Sequence, residues 1–256
     1  MAVPSTDGMA GSLNHASRAR RPARLASIVV EELAHEIIGG RLPEGSPLPT
    51  EEALCRRFEF SRTVMREGLK LLEERGLIRV EQGRGTTVQP RENWNLLDPD
   101  VLHVALEYDD NAALLDSIVT VRRLLETAMT RVAAEWLTAD GLAALQDNLD
   151  TMAALVDDYP QFQQLDQAFH RTLMSASGNE IGRMIVRAIH QYTAADPRLN
   201  SHPGSSSALT RTVEDHREIL AALKDSDAEL AAERITAHIN ASWSERRRAR
   251  LGSPNT

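Results

Sequence analysis

The sequence predicts a mainly α-helical protein, with an N-terminal winged helix-turn-helix and a C-terminal all-α helical bundle. Two observations lead to this prediction. Between Ile37 and Val88, a proline-containing loop, a short helix, a longer helix and two β-prone runs follow one another. After Val88 the apolar residues recur at helical spacing almost to the end, without a strand pattern. The 256 residues are enough for two modest domains, each with its own core.

Local signals place the helices of the first domain. Apolar residues at helical spacing run from Leu25 to Ile38, and Gly39-Gly40 ends that helix. A loop with three prolines follows, and then a short helix over about 50–58. Ser61 is placed to cap a longer helix, which stops at Gly76.

The start of the longer helix carries the side chains expected of a DNA reader. Ser61, Arg62 and Thr63 offer hydroxyl and guanidinium groups at a helix N-terminus, where a recognition helix meets bases or phosphates. Arg66 lies one turn further on the same side, and arginine commonly reads guanine with two hydrogen bonds. The alternative for Arg66 is an ion pair near Glu67 or with Glu73. We favour DNA contact, with double-stranded operator DNA as the partner.

A wing is predicted after this helix. The β-prone runs 77–80 and 86–88 flank Gly83-Arg84-Gly85, a signal for a hairpin. Gly83 at its tip would let the backbone approach the minor groove, and Gln82 could reach the groove beside it. The two runs therefore predict a second DNA contact, made by the wing.

The remaining chain is predicted to be helical throughout. We expect helices over about 98–107, 111–136, 139–157, 160–176, 179–193, 208–224 and 227–248, with Ser226 and Glu229 as a capping box for the last one. The predicted domain limits are a disordered basic tail at 1–23, the winged helix-turn-helix at 24–90, a linker at 91–98, the helical domain at 99–248 and a disordered tail at 249–256.

Composition excludes several classes of protein. The net charge is −8, but residues 1–92 hold 14 basic and 13 acidic residues against 15 and 24 in the rest, so the acidity lies in the second part. The one cysteine, Cys55, rules out an intrachain disulfide and is interpreted as an inert, half-buried thiol. No apolar run approaches the ~18 residues of a membrane span, and no apolar segment follows the N-terminal arginines. We therefore expect a soluble cytoplasmic protein without a membrane partner.

Four residues of the helical domain form a candidate metal site. Asp166 and His170 are spaced i, i+4 on one predicted helix, so they project from one face. His216 and His238 lie beside the apolar stripes of two later helices. One carboxylate and three imidazoles suit a divalent metal, with zinc favoured and nickel or manganese as options. The alternative is a set of hydrogen-bonded core residues without an ion. His190 is a possible further pocket residue, although a core or surface role is favoured.

The first domain resembles a known family. The run LPxEExL, then SRTxxREGLxxLxxxGLI, then GxGTxV is similar to the DNA-binding domain of GntR-family bacterial transcription regulators. One position departs from that pattern. Many relatives carry a DNA-contacting arginine where this chain has Glu52, so we expect that contact to be missing. Arg56 or Arg57 could compensate for it.

The second domain resembles the ligand domain of the FadR-type branch of the same family, known as the FCD domain. The segments LDQAFHRTLMSASGNEIG and DHREILAALKDSDAELAAERITAHI carry this resemblance. It implies a metal held by Asp166, His170, His216 and His238, with a small carboxylate as effector. Arg122, in VRRLLE, matches an arginine near the effector in that branch, and its alternative is a surface role. Asn179 is a weaker pocket candidate, because asparagine is also an ordinary helix cap.

Together these features predict a homodimeric transcription regulator, most simply a repressor released from a palindromic operator by its effector. The segment ENWNLLDPDVL resembles members that regulate sugar-acid metabolism, which suggests a hexonate-like acid. Two alternatives stay open at this point. One is a metal-dependent hydrolase or lyase with an attached DNA-binding module, for which Glu126 could be proposed as a general base. The other is a metal sensor, in which the ion itself is the signal.

Overall fold

A computed structural model describes residues 10–81, 83–110, 112–195 and 206–252. The chain divides into two compact units, the first ending at Tyr108 and the second beginning at Asp109. Helices dominate both units, and the described residues include one two-stranded sheet. The predicted fold class is therefore confirmed. None of the described helices is both long enough and apolar enough to span a membrane.

Three helices and a wing form most of the first unit. The helices are α1 (Ala10–Ile38), α2 (Glu51–Phe58) and α3 (Arg62–Glu74). Thr50 and Ser61 cap α2 and α3, and each side-chain hydroxyl accepts a hydrogen bond from a backbone N–H three residues later. The predicted cap at Ser61 is present.

Close packing of α1 against α3 fixes the recognition helix. A side chain at Gly68 would place its Cβ 2.7 Å from Cγ1 of Val29, so only glycine permits this approach. The same interface buries Leu33, Met65 and Leu72 completely. Because one face of α3 is fixed in this way, its opposite face stays exposed and rigidly oriented.

The wing is a short antiparallel hairpin. Strand β1 (Ile78–Glu81) pairs with β2 (Gly85–Val88), with Ile78 opposite Val88 and Glu81 opposite Gly85. Gly83 in the turn has a φ of +77°, a conformation that glycine adopts without strain. The hairpin therefore forms where the sequence predicted it.

After the wing, a 3-10 turn (Arg91–Asn93) leads to α4 (Pro99–Glu107). Val101 and Val104 of α4 belong to the apolar core of the first unit. Arg75 also forms an ion pair with Asp98, the N-cap of α4, at 3.0 Å. Helix α4 therefore packs as part of the first unit. From the sequence, residues from 99 onward were assigned to the second domain.

The second unit is a bundle of six described helices. They are α5 (Ala113–Trp136), α6 (Ala139–Ala153), α7 (Tyr159–Ala176), α8 (Glu180–Ala195), α9 (Ser206–Lys224) and α10 (Ala228–Gly252). Their apolar faces form one core, which includes Phe169, Leu173, Ile219 and Ile235. Burial of these faces against one another is the main source of stability in such a bundle.

Helices α5 and α10 run antiparallel along most of their length. In the contacting pairs, the residue numbers decrease along α5 while they increase along α10. The pairs are Arg131–Glu229, Thr127–Thr236, Arg123–Asn240 and Asp116–Arg247. This ladder fixes the register of the two helices, and the register sets the position of every functional side chain between them.

Several local predictions differ from the structure. Helix α10 continues to Gly252, whereas a disordered tail was expected from residue 249 onward. Helix α1 begins at Ala10, whereas the sequence analysis expected a disordered segment up to residue 23. Alanine and arginine favour a helix even without the apolar periodicity on which that expectation relied. At α10, Ser226 has a φ of +55° and is not the cap. The Asp227 carboxylate accepts from the Leu230 N–H at 2.9 Å instead, because it stands one residue closer to the first turn.

Candidate metal centre and nucleic-acid interface

The four proposed metal ligands come together inside the second unit. Helix α7 carries Asp166 and His170 one turn apart, and α9 and α10 bring His216 and His238 to them. One potential ligand atom of each lies within 4.8 Å of those of the other three. The three histidines are buried and Asp166 is half-buried. Residues from three helices thus share one small volume.

Two carboxylates set the orientation of two of these histidines. The Nδ1 atom of His238 lies 3.2 Å from Asp215 Oδ2, and Nδ1 of His170 lies 2.5 Å from Glu126 Oε2. An ionised carboxylate only accepts hydrogen bonds, so each Nδ1 carries the proton and each Nε2 keeps its lone pair. A carboxylate behind a histidine in this way is the usual support for a metal ligand.

The ionisation states also suit a cation. Burial and the neighbouring His238 lower the pKa of His216 well below its ordinary value. Burial likewise lowers the pKa of His238. For Asp166, burial alone would raise the pKa, but the surrounding imidazoles, His170 foremost, outweigh it and keep the pKa below the ordinary value. An ionised Asp166 beside neutral His216 and His238 is the protonation state in which these three groups bind metals.

The residues present therefore fit a divalent first-row ion. The Nε2 atoms of His216 and His238 are 3.3 Å apart, and a shared cation would use the lone pairs of both. Nδ1 of His216 is buried and has no hydrogen-bond partner among the described residues. A set of imidazole nitrogens and one carboxylate oxygen is the chemistry preferred by zinc and nickel.

Behind the cluster lies a second buried group centred on Glu126, which is fully buried. Its Oε1 accepts from Arg122 Nε at 2.5 Å and lies 3.1 Å from His190 Nε2, and its Oε2 faces His170. Burial alone would raise the pKa of Glu126, but Arg122 and His170 hold it well below the ordinary value. Glu126, His170 and His190 also lie close enough together to hold an ion. Because hydrogen bonds already occupy both Glu126 oxygens, we interpret the carboxylate as the support of His170.

Sequence reasoning underestimated two members of this group. It considered Glu126 only as a possible general base, and it favoured a core or surface role for His190. In the structure His190 is buried against Glu126, and burial lowers its pKa to about 4. The one available signal was the spacing of Arg122 and Glu126, which are four residues apart on α5 and therefore share a face.

The two proposed effector residues lie in different settings. Arg122 is almost buried, and its Nη2 lies 3.3 Å from His170 Nε2, directly beside the metal candidates. Asn179 is exposed, and its Oδ1 accepts from the Gly182 N–H at 2.9 Å. The contact of Asn179 is that of a helix cap. The geometry therefore favours Arg122 over Asn179 as an effector ligand.

The proposed recognition residues all lie on the exposed side of α3. Ser61, Arg62 and Thr63 are exposed at its N-terminus, and Arg66 is exposed one turn later. Arg66 Nε also lies 2.9 Å from Glu51 Oε2, so an ion pair does form, but with α2 and not with Glu67 or Glu73. An exposed pair of this kind contributes little stability, so phosphate or base could replace it.

Both arginines of α2 that could compensate for Glu52 are already paired within the first unit. Glu52 pairs with Arg56 at 2.7 Å, and both side chains are exposed. Arg57 forms two hydrogen bonds with the largely buried Glu36 of α1. This contact lowers the pKa of Glu36 and raises that of Arg57. Arg57 therefore holds α1 and α2 together, and only Arg56 could turn toward DNA.

At the wing tip, Gly83 is exposed, and no atom lies within 4 Å of the position where a Cβ would stand. The tip is thus accessible to the minor groove of DNA, as the sequence suggested. Gln82, the other proposed wing residue, lies outside the described residues.

The geometry defines a protein with an exposed recognition helix and wing in one unit and a buried Asp/His cluster in the other. Comparison with known families agrees with both. The profile of the bacterial regulatory proteins of the gntR family matches residues 25–88, and that of the FCD domain matches residues 117–241. The chain belongs to the GntR family of transcription regulators, as its sequence motifs suggested.

Individual relatives support the assignment. The galactonate operon transcriptional repressor of Escherichia coli (strain K12) is 32% identical over 203 residues, which cover 79% of this chain and 88% of that protein. The Glc operon transcriptional activator of the same strain is 32% identical over 63% of each chain. A solved structure of Lar, described as controlling the agr system of Listeria monocytogenes, has a TM-score of 0.53 over 89% of this chain and 96% of its own, at 18% identity. That last likeness concerns the fold alone.

These relatives are regulators of transcription. The chain is accordingly a DNA-binding transcription regulator and not an enzyme. The interpretation as a metal-dependent hydrolase or lyase is not supported by the matching family profiles or by the relatives named above.

Proposed function

We propose that this protein is a repressor that binds a palindromic operator as a homodimer and is released when a small carboxylate binds at a metal held in the second unit. The observation that carries the proposal is the position of Arg122, whose guanidinium touches His170 at the edge of the Asp/His cluster. A cation and a guanidinium side by side form a receptor for a carboxylate.

Asp166, His170, His216 and His238 would hold the ion, and the ion would offer a Lewis-acidic position to one carboxylate oxygen. When His170 Nε2 binds the ion, the Nη2 group of Arg122, which lies 3.3 Å from that nitrogen, would be free to donate to the other oxygen. Glu126 keeps Arg122 oriented through its Nε and leaves the rest of the guanidinium for the ligand. Each group of the receptor thus has one assigned task.

Release from DNA follows from linkage. An effector that binds one arrangement of the dimer more tightly than the operator-bound arrangement lowers operator affinity by that difference. On the DNA side, Ser61, Arg62, Thr63 and Arg66 would contact one half-site, and Gly83, with Gln82, would bring the wing to the neighbouring groove. Acting on chromosomal DNA, such a regulator would work in the cytoplasm.

An exposed apolar face supports the homodimer. Leu124 and Trp136 of α5 are 63% and 71% exposed, and Ile181 of α8, which packs against α5, is 68% exposed. Val121 and Val132 continue the stripe on α5. Apolar side chains in such number usually mark an interface. A second copy of the chain is the partner that palindromic recognition requires.

The repressor assignment and the effector class draw on relatives. The galactonate operon repressor matches 79% of this chain, whereas the Glc operon activator matches 63%. We therefore propose repression, with a hexonate-like sugar acid as effector and zinc as the favoured metal. The residues that surround the cluster are consistent with an acid, since the Arg122 guanidinium lies directly against it.

Fluorescence anisotropy with a labelled operator tests the proposal. The operator is first selected from random-sequence duplexes with the zinc-loaded protein. We expect a hexonate to raise the dissociation constant for the operator only when zinc is bound, and Arg122→Gln to abolish this release while leaving operator affinity intact. Asn179→Ala serves as a control, because its side chain only caps α8.

Two other results would contradict the proposal. If operator affinity changes with zinc concentration in the physiological range but does not change with any of the acids, the protein is a metal sensor. Release by acids that persists in the presence of a chelator would place the effector away from the Asp/His cluster.

A further inference from the structure

A narrow recess with Arg122 in its wall lies between α5, α8 and α10. It is lined by Val119, Arg122, Thr193, Ile239, Ser242, Trp243 and Arg246. Its cavity volume is only about 10 Å³, so the side chains that line it must move apart before a ligand can enter. Of the lining residues, Arg122 is the one that also contacts the Asp/His cluster, through His170, so we take this recess as the path along which the rest of a bound acid would extend.

Arg246 differs from its neighbours because it has no ion pair or hydrogen bond within the described part of the chain, although it is half-buried. Arg247, the next residue, pairs with Asp116 at 3.0 Å, and Trp243 Nε1 donates to the same carboxylate at 2.7 Å. The Asp116 carboxylate near this end of the helices is therefore occupied by other donors. Arg246 is left as a guanidinium without a counter-ion, among the described residues, at the rim of a ligand path.

The antiparallel register of α5 and α10 gives the spacing of the two arginines. Because Asp116 pairs with Arg247, Arg246 is level with Ser117 on α5. Arg122 lies five residues further along α5, which at 1.5 Å per residue is about 7.5 Å. Both arginines line the recess, and their positions along the helix axes differ by about the length of a chain of several carbon atoms.

The lining between these levels suits a hydroxylated chain. Ser242 offers a hydroxyl group, and the Thr193 hydroxyl, which donates to the Ile189 carbonyl, can still accept a hydrogen bond. Val119, Ile239 and Trp243 offer apolar surface for the carbon skeleton. No acidic residue lines the recess among the described residues, and the nearby Asp116 carboxylate is paired with Arg247. An acid entering the recess must displace side chains, and Arg246 can move at little cost since it has no described partner to lose.

We propose that Arg246 binds a second, terminal anionic group of the effector, so that the preferred ligand is a sugar acid with an anion at both ends. The inner carboxylate takes the position at Arg122, and the outer carboxylate or phosphate pairs with Arg246. This inference rests on the proposed function, since it assigns the far end of the ligand whose near end Arg122 holds. It makes Arg246 the residue that selects dianionic acids over monoanionic ones.

Isothermal titration calorimetry on the zinc-loaded full chain tests this assignment. The probes are a hexonate, the hexarate of the same stereochemistry and the 6-phosphorylated hexonate. In the wild type we expect one dianion to bind about tenfold to a hundredfold more tightly than the hexonate, the range for a charge-assisted hydrogen bond. Arg246→Gln should remove this preference and change hexonate affinity far less. Arg248→Gln is the matched control, because Arg248 lies on the same helix and is exposed.

The outcomes separate this inference from the proposed function. A hexonate that binds through zinc and Arg122 as tightly as both dianions would overturn only the role of Arg246, as would a dianion preference that survives Arg246→Gln. Failure of all three acids to bind, or indifference to Arg122→Gln, would overturn the carboxylate site and this inference with it. Preference for the hexarate or for the phosphorylated acid decides which outer group Arg246 receives.

Discussion

The two units place their functional residues in opposite environments. In the first unit Arg62, Thr63 and Arg66 are exposed on one helix, ready to meet a large charged polymer. In the second unit His170, His216 and Glu126 are completely buried and are packed around one another. Exposed charges need no partner, whereas buried ones must be neutralised or hydrogen-bonded. Substitutions of these exposed residues should therefore change DNA binding alone, and substitutions in the buried cluster should change ligand binding and stability together.

The largest effect is expected at the buried cluster. His216→Ala removes one of four ligands, and loss of even a supporting residue costs about tenfold to a hundredfold in metal affinity. We expect zinc affinity to fall more than about a hundredfold, measured by competition with a chromophoric chelator. His103→Ala is the control, because His103 is exposed on α4 in the first unit. Stoichiometric zinc in purified His216→Ala protein would show that the four residues do not form the site.

At the recognition helix the effect should be large on DNA and absent from stability. Arg62→Ala removes a candidate base or phosphate contact from each half-site, worth about 1–3 kcal/mol. We expect the dissociation constant for the operator to rise at least about tenfold, with an unchanged melting temperature. Arg171→Ala, an exposed arginine of α7 in the second unit, should leave operator affinity unaltered. Equal affinities of the Arg62→Ala and Arg171→Ala proteins would mean that α3 does not read DNA through this residue.

Acid should destabilise the second unit through its buried histidines. Burial lowers the pKa of His190 from 6.5 to about 4, so the unfolded chain takes up the proton more readily than the folded one. The stability present at neutral pH is therefore lost as the pH falls from about 6.5 toward 4. For the metal-free protein we expect urea unfolding to show a loss of about 1–2 kcal/mol between pH 7 and pH 5 from this residue.

The matched variants for that experiment are His190→Gln and His103→Gln. The first should reduce the pH dependence, and the second should leave it unchanged because His103 is exposed. Identical pH profiles for His190→Gln and the wild type would indicate that His190 is not held neutral by burial. Glu126 acts at lower pH, since its pKa lies below 4.5 and its protonation costs stability only there.

The same contrast explains how much the sequence could predict. Ser61 and Arg62 are proposed DNA contacts because of where they stand on one helix, and capping and helical spacing are local properties. Asp166 and His170 were predicted for the same reason. The carboxylates behind the ligands were not, because Glu126 lies 44 residues from His170 and Asp215 lies 23 residues from His238. Only the packing of the helices brings these pairs together.

The misplaced boundaries have a related cause. Helical periodicity predicted that α4 exists but not which core it joins, and no local pattern indicated that Val101 and Val104 pack in the first unit. Ser226 and Asp227 are both good capping residues one position apart, and composition alone does not choose between them. The choice depends on the path of the turn before α10.

The smallest effect is expected at the position where this chain departs from its relatives. Glu52 and Arg56 form an exposed pair that contributes little stability, so Glu52→Arg should fold normally and release Arg56. The change replaces a repulsive carboxylate by a cation near the phosphates. We expect operator affinity to rise about threefold to tenfold at low salt. Its dependence on salt concentration should become steeper by about one ion for each additional phosphate that the protein neutralises.

Glu233→Arg makes the same change of charge on an exposed turn of α10, so it separates this local effect from the effect of net charge. A rise in affinity confined to Glu52→Arg would mean that α2 approaches the DNA backbone closely enough for one side chain to form a new phosphate contact. If affinity rises equally in both variants, the contact made by relatives at this position has no counterpart here, and the first unit attracts DNA through its overall field alone.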